Sequence, residues 1–228
     1  MNPDPDGTIE RTDTGGVIRF ERHLRHPVDE VWSAITEPDR LGEWWLPFPA
    51  DITMDLRPGG QIVMAAAGDE PMVMTLEVLR VDPPVLLEHT HVDEGSRMLW
   101  ELEPDGDGTV LRLSHFVTDP AAAVENGYAV GLHMSLSRLA PALEGNPVPW
   151  DWDVFAGHQR RYAAAGLSAE PPEDEEPQQR RRGGGGRQAR RAARRASRPR
   201  EPRRQRARPS VPDLAPPLLL RRAVPSLG

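Results

Sequence analysis

The chain contains no cysteine and no lysine. Without cysteine there can be no disulfide, no thiolate metal ligand and no cysteine nucleophile. Without lysine every fixed cation is an arginine, a compositional bias that needs no function to explain it. Aromatic residues are scarce, at 5% of the chain, so the places where they cluster carry information. Long apolar runs are missing too: Leu218-Leu219-Leu220 is far short of the ~20 residues that a membrane helix needs. The N-terminus MNPDPDGTIERTDTGG has no basic n-region and no apolar h-region, so no secretory signal is expected and the expected location is cytoplasmic. GxSxG, HExxH, P-loop and dinucleotide-binding patterns are all absent. Gly183 to Gly186 has no flanking strand or helix to make it a phosphate loop. No established catalysis and no cofactor are expected.

Charge divides the chain. Residues 1–179 hold 12 Arg against 33 acidic residues, a net −21, and residues 180–228 hold 16 Arg against 2, a net +14, which together give the overall −7. Residues 1–16 read as a flexible lead-in. Residues 17–167 carry good apolar periodicity, enough for one core burying roughly 68–70% of the unfolded surface. From 168 the chain is first acidic and Pro-rich (EPPEDEEPQQ), then an Arg/Gly/Pro tract. It has no periodic apolar face to offset its ordering entropy and is expected to be disordered. Sixteen arginines could give weak non-specific nucleic-acid binding, although the tract has no aromatics for base stacking. A loose association with the acidic domain, or a tail without an evolved role, are the blander readings.

Within 17–167 the order of elements is clear. Val28, Val31, Trp32 and Ile35 follow a strand-like run at i, i+3, i+4 and i+7, one face of a helix. Glu37-Pro38 ends that helix, because a residue before proline is pushed out of helical geometry. A second short turn carries Leu41, Trp44 and Trp45. Adjacent tryptophans cannot face the same way, so one belongs in the core and the other at a cavity mouth or in solvent. About six strands follow, punctuated by Pro58-Gly59-Gly60, Asp82-Pro83-Pro84 and Asp105-Gly106-Asp107-Gly108. Their alternation gives one apolar face, as in an antiparallel sheet covered on one side. A helical stripe of Val124, Tyr128, Leu132, Leu136, Leu139 and Leu143 then predicts one long helix over 121–144, with Gly145 as its stop and a kink or early end at Pro141. A last helix carries Phe155 and Tyr162.

This order resembles the helix-grip α+β fold of the SRPBCC (START/Bet v-like) superfamily. The stretches HPVDEVWSAITEPDRLGEWW, DLRPGG, DGDGTVLRLSH, GLHMSLSRLAPALEG and PVPWDW resemble the branch related to the C-terminal domain of the activator of heat-shock protein 90 ATPase. Leu132 departs from the pattern, since many relatives carry an aromatic there, so their cavity shape is not carried over. The resemblance implies a curved antiparallel sheet wrapped around a long C-terminal helix, with a cavity between them. It further implies a small apolar or amphipathic ligand, with a chaperone partner or a cyclase- or hydrolase-like activity in the same cavity as alternatives.

The candidate cavity residues are Met74, Met98, Trp100, His115, Tyr128, Leu132 and Leu136, all on predicted inward faces. Ordinary core packing accounts for any one of them, while as a set they match a mostly apolar binding cavity with a few polar anchors. His115 follows Leu111 and Leu113 inward and could serve as a buried hydrogen-bonding group or as an acid or base. His89, His91, His115 and His133 make a three-histidine metal site conceivable. Their spacing is only strand alternation with no converging carboxylate, and no metal is expected.

Overall fold

Two-residue alternation decides the sheet and its inner face. In the strand Gly15–Leu24 the side chains of Ile18, Phe20 and Leu24 are buried while Arg19, Glu21 and His23 are exposed. The β-branched and apolar residues at alternate positions fit a pleated surface that is wet on one side only. A computed structural model describes residues 5–66 and 72–168. It contains strands β1 (Thr8–Thr12), β2 (Gly15–Leu24), β3 (Ala50–Met54), β4 (Gln61–Ala66), β5 (Met72–Asp82), β6 (Leu86–Thr90), β7 (Arg97–Asp105) and β8 (Gly108–Val117). The helices are α1 (Val28–Thr36), α2 (Pro38–Gly42), α3 (Pro120–Glu125), α4 (Tyr128–Leu143) and α5 (Trp152–Ala164). The strands form one antiparallel sheet in the order β1-β2-β8-β7-β6-β5-β4-β3. Helix α4 lies against β2 and α5, and α1 lies against β7 and β8. This is the expected helix-grip α+β architecture, with eight strands instead of about six.

The difference in strand number begins in the segment read as a flexible lead-in. Residues 8–12 form β1, paired residue by residue with 15–19 of β2 around the two-residue loop Asp13-Thr14. The short polar strand TIERT has only Ile9 as an apolar signal, so alternation could not reveal it. Residues just before it are also tied down. The Asp6 carboxylate takes two hydrogen bonds from the Arg161 guanidinium, at 2.5 and 3.0 Å. The Gly7 amide donates to the Tyr162 hydroxyl at 2.7 Å.

The single helix expected over 121–144 is two. Asn126-Gly127 separates α3 from α4, and Gly127 sits at φ 67°, ψ 30°. A left-handed residue interrupts the helical hydrogen-bond ladder, and glycine enters that region at no steric cost. The apolar stripe ran through this break because Val124 and Tyr128 keep helical spacing on either side of it. Pro141 does not end α4, which runs two residues further to Leu143. Gly145, at φ 73°, follows as expected for a helix stop. Residues 1–4 and the tail after 168, expected to be disordered, lie outside the described residues.

A Cβ at Gly127 would meet nothing closer than the Ser168 hydroxyl at 3.9 Å, so any cost of substitution there is conformational. Gly127→Ala is expected to lower stability by about 1–2 kcal/mol, read as a shift in the urea midpoint with no change in slope. An unchanged midpoint would mean that the left-handed break is not required.

Candidate functional site

The cavity lies between the inner face of the sheet and α4, and cross-strand register builds its floor. Ile18, His115, Met98 and His89 stand opposite one another on β2, β8, β7 and β6. His115, Met98 and His89 of that row line the cavity, together with Met64, Met74 and Leu76 from β4 and β5. The next inward row, Phe20, Leu113, Trp100 and Leu87, packs beneath the early helices. Trp100 is therefore core and not cavity wall. Its ring meets Trp44 and Trp45 edge-on at 6.3 and 5.3 Å.

Helix α4 forms the roof with Tyr128, Gly131, Leu132 and Ser135. At 3.6 residues per turn these fall within an arc of about 100°, whereas Leu136 lies about 80° from Tyr128 and turns into the core. Trp150, Trp152 and Phe155 supply an aromatic wall, with ring centroids 5.6–5.7 Å apart. Trp152 is 38% exposed and stands at the rim. The cavity holds about 140 Å³, close to the ~150 Å³ apolar cavities that accept a single benzene ring.

The mouth is held by one buried cation. Arg138, on α4, donates from Nη1 to the Trp44 and Leu46 carbonyls (2.7 and 2.9 Å), from Nε to Val148 (2.9 Å) and from Nη2 to Glu43 (3.2 Å). These carbonyls belong to the exit from α2 and to the loop before Trp150, where helix-end groups have no intrahelical partner. Ser135 adds a bond to the Trp45 carbonyl at 2.8 Å. The segment 45–48, which lines the cavity, is thereby fastened to α4. Trp44 is fully buried and gives its indole N–H to the Ala34 carbonyl at 3.0 Å, while Trp45 lines the cavity. The two tryptophans divide as the sequence required.

Three histidines, His89, His115 and His133, are buried and His91 is half-buried, and the four are in three different states. His89 is saturated: Nε2 accepts from the Trp100 indole at 3.1 Å, which leaves Nδ1 to donate to the Thr90 carbonyl at 2.7 Å. His133 lies in a separate polar cluster, accepting at Nδ1 from the Tyr162 hydroxyl at 2.9 Å, with Asp6 3.6 Å away. Burial, followed by the charges of His158, Arg22 and Arg161, holds its pKa down to about 3. His91 and His115 stack at 4.3 Å beside the Tyr128 ring, whose hydroxyl donates to Asp93. Burial is the main cause that pushes His91 down to about 4 and His115 well below the usual imidazole value. Among the described residues, both nitrogens of His115, Nδ1 of His91 and the indole N–H of Trp150 have no hydrogen-bond partner. Among the described residues no group of three or more His, Asp or Glu is placed to hold a metal ion.

Of the residues singled out from sequence, Met74, Met98, His115, Tyr128 and Leu132 share this cavity wall, and Trp100 and Leu136 do not. Alternation locates an inner face but not the row along it, which is why Trp100 was misplaced, and a broad helical stripe does not resolve the ~80° that turns Leu136 away from the cavity. Met64, Leu76, His89 and the Trp150–Phe155 group were missed as lining. For the last, the PVPWDW aromatics crowded after a helix stop were the available signal.

The comparisons with known proteins agree with this architecture. Residues 25–144, more than half of the chain, match the family described as Activator of Hsp90 ATPase homolog 1-like protein. The chain belongs to that family. The crystal structure of CalU16 from Micromonospora echinospora is 29% identical over 70% of this chain and 96% of its own, with a TM-score of 0.54. The protein encoded by gene BPP1335 of Bordetella parapertussis is 28% identical over 73% of this chain and 94% of its own, also at 0.54. A conserved protein of unknown function, EF2215 from Enterococcus faecalis, shares the fold at 18% identity, with 72% of this chain and 92% of its own covered and a TM-score of 0.56. No functionally curated protein matches the chain. No helix among the described residues is long and apolar enough to cross a membrane.

Two outcomes follow from the site's electrostatics. Arg138→Met orphans four carbonyls and should cost about 3–5 kcal/mol, and Arg138→Lys should not restore it, because a point-like ammonium cannot replace the fork. A denaturant midpoint within ~0.5 kcal/mol of the parent would contradict this role. The histidines set the acid limit. Their folded pKa values lie below the unfolded value, so the stability is present above about pH 6.5. It is lost as pH falls towards about 4 for His91 and about 3 for His133. Each should remove up to ~1.4 kcal/mol per pH unit inside its window. Urea midpoints that stay flat between pH 6.5 and 4 would be inconsistent with buried neutral imidazoles.

Proposed function

We propose that this chain is a binding module for a small apolar or amphipathic molecule held between α4 and the sheet, with no catalytic step of its own. The observation that carries the reading is the wall itself. Three methionines, Leu132 and the aromatic side chains surround a cavity sized for one ring, with few polar atoms among them. Such a surface gains by leaving water and sets little directional demand on its contents. Unbranched thioether side chains also adapt to an irregular ligand. Among the described residues the lining of this wall includes no Arg, Asp or Glu.

The family description names an activator of a heat-shock ATPase, a role exercised on a protein partner. That alternative needs an outer surface and not a cavity, so the two readings part on a cavity-filling variant. Leu132→Trp should keep the fold, with a thermal midpoint equal to or above that of the parent chain. It should also abolish the toluene binding that calorimetric titration detects in the parent. Equal binding by both proteins would place the ligand elsewhere. Stimulation of a chaperone ATPase that survives Leu132→Trp, with no toluene binding by the parent, would favour the activator reading.

A further inference from the structure

The apolar reading leaves one part of the wall unused. His115 is 0% exposed, and neither of its ring nitrogens has a partner. Nδ1 of His91 is in the same condition, with the two ring centroids 4.3 Å apart. Their surroundings do not supply the missing bonds. Ile18 and Met98 flank His115 in register on the neighbouring strands. The Tyr128 ring, 5.3 Å from each imidazole, directs its hydroxyl to Asp93. His89, one strand further along the row, uses both of its nitrogens internally. All three histidines line the cavity, but His89 spends both nitrogens inside the protein whereas His91 and His115 keep buried nitrogens without a partner among the described residues.

Buried polar atoms are ordinarily paired, so orphans at a cavity wall point to a partner that arrives from the cavity. The chemistry of that partner is narrow. A neutral imidazole offers one N–H and one bare lone pair, so the pair can both give and accept. A hydroxyl is the small group that does both from one atom. A carboxylate or ammonium would lose its hydration here without a counter-ion, because among the described residues no Arg, Asp or Glu lines the wall. A wholly apolar ligand would leave the nitrogens unpaired. These nitrogens are shielded in the structure, so a ligand hydroxyl reaches them when the ring turns about χ2, a torsion with a broad profile.

We propose that the cavity selects an uncharged, ring-bearing ligand whose hydroxyl hydrogen-bonds to the His91–His115 pair. This rests on the apolar-ligand reading above and adds the ligand's polar group and its neutral charge.

The test is a set of calorimetric titrations of the full chain at neutral pH with toluene, 4-methylphenol and 4-methylbenzoate, which share one ring and differ in the polar group. 4-Methylphenol should bind at least about tenfold more tightly than toluene, and 4-methylbenzoate should not bind detectably. His115→Leu should lower 4-methylphenol affinity about tenfold while toluene affinity stays within about twofold. Because a core variant can fail to fold, the ring ¹⁵N resonances of His91 and His115 in the unaltered chain provide a second readout. They should move on adding 4-methylphenol and stay in place with toluene. Toluene and 4-methylphenol binding alike, with the ring resonances unmoved, would overturn the hydroxyl assignment and leave the apolar reading standing. Binding of neither compound would overturn both. Tight binding of 4-methylbenzoate would overturn the neutral-ligand selection alone.

Discussion

The guanidinium of Arg138 is the interaction on which the cavity depends. Taking an arginine out of water is costly, and here no carboxylate compensates it. Four backbone carbonyls do so instead, from Glu43, Trp44, Leu46 and Val148. Burial lowers its pKa, yet an arginine stays protonated in a protein. The charge therefore has to be solvated by backbone, and that requirement fixes where the backbone runs. The exit from α2 and the loop before Trp150 have little secondary structure of their own. Both are held to α4 by the same side chain, and each carries part of the cavity lining. A lysine could hold a position there, but not this fan of bonds.

Around that hub the polar interior separates into two clusters with opposite characters. Near the N-terminal segment, Asp6, Gly7, His133, Tyr162 and Arg161 satisfy one another and fasten the residues before β1 to α4 and α5. In the cavity floor, Trp100 saturates His89, while His91 and His115 keep nitrogens unpaired. Low local dielectric strengthens a satisfied network and makes an unsatisfied one costly. The contrast separates side chains whose polar atoms are satisfied within the fold from side chains whose buried nitrogens have no partner among the described residues.

Much of this was legible in the sequence, and the gaps have physical causes. The division of Trp44 and Trp45 followed from adjacency on a helix, and most strands followed from alternation between turn residues. Period-two and period-3.6 patterns report which face a residue occupies. They do not report where along that face the cavity stops, so Trp100 was placed one row too near it, and a broad helical stripe does not separate Leu136, which points about 80° away from Tyr128. Strand β1 escaped because its pairing is mostly backbone, and backbone hydrogen bonds leave little trace in side-chain type. Arg138 escaped for a different reason. An arginine within an apolar stripe reads as a solvated interruption until the carbonyls converging on it from distant segments are known. Of the four histidines considered together from sequence, His133 lies in the other cluster and His89 is already engaged by Trp100 and Thr90.

Methyl NMR of the methionines, followed as an apolar one-ring compound such as toluene is added, tests the central claim most directly. Met64, Met74 and Met98 line the cavity, whereas Met134 is buried elsewhere in the core and Met54 lies outside the lining. The account predicts shifts for the first three that saturate together, with Met134 and Met54 unmoved. Saturable shifts confined to Met54 or Met134, or no shifts at any methionine, would contradict a ligand site between α4 and the sheet.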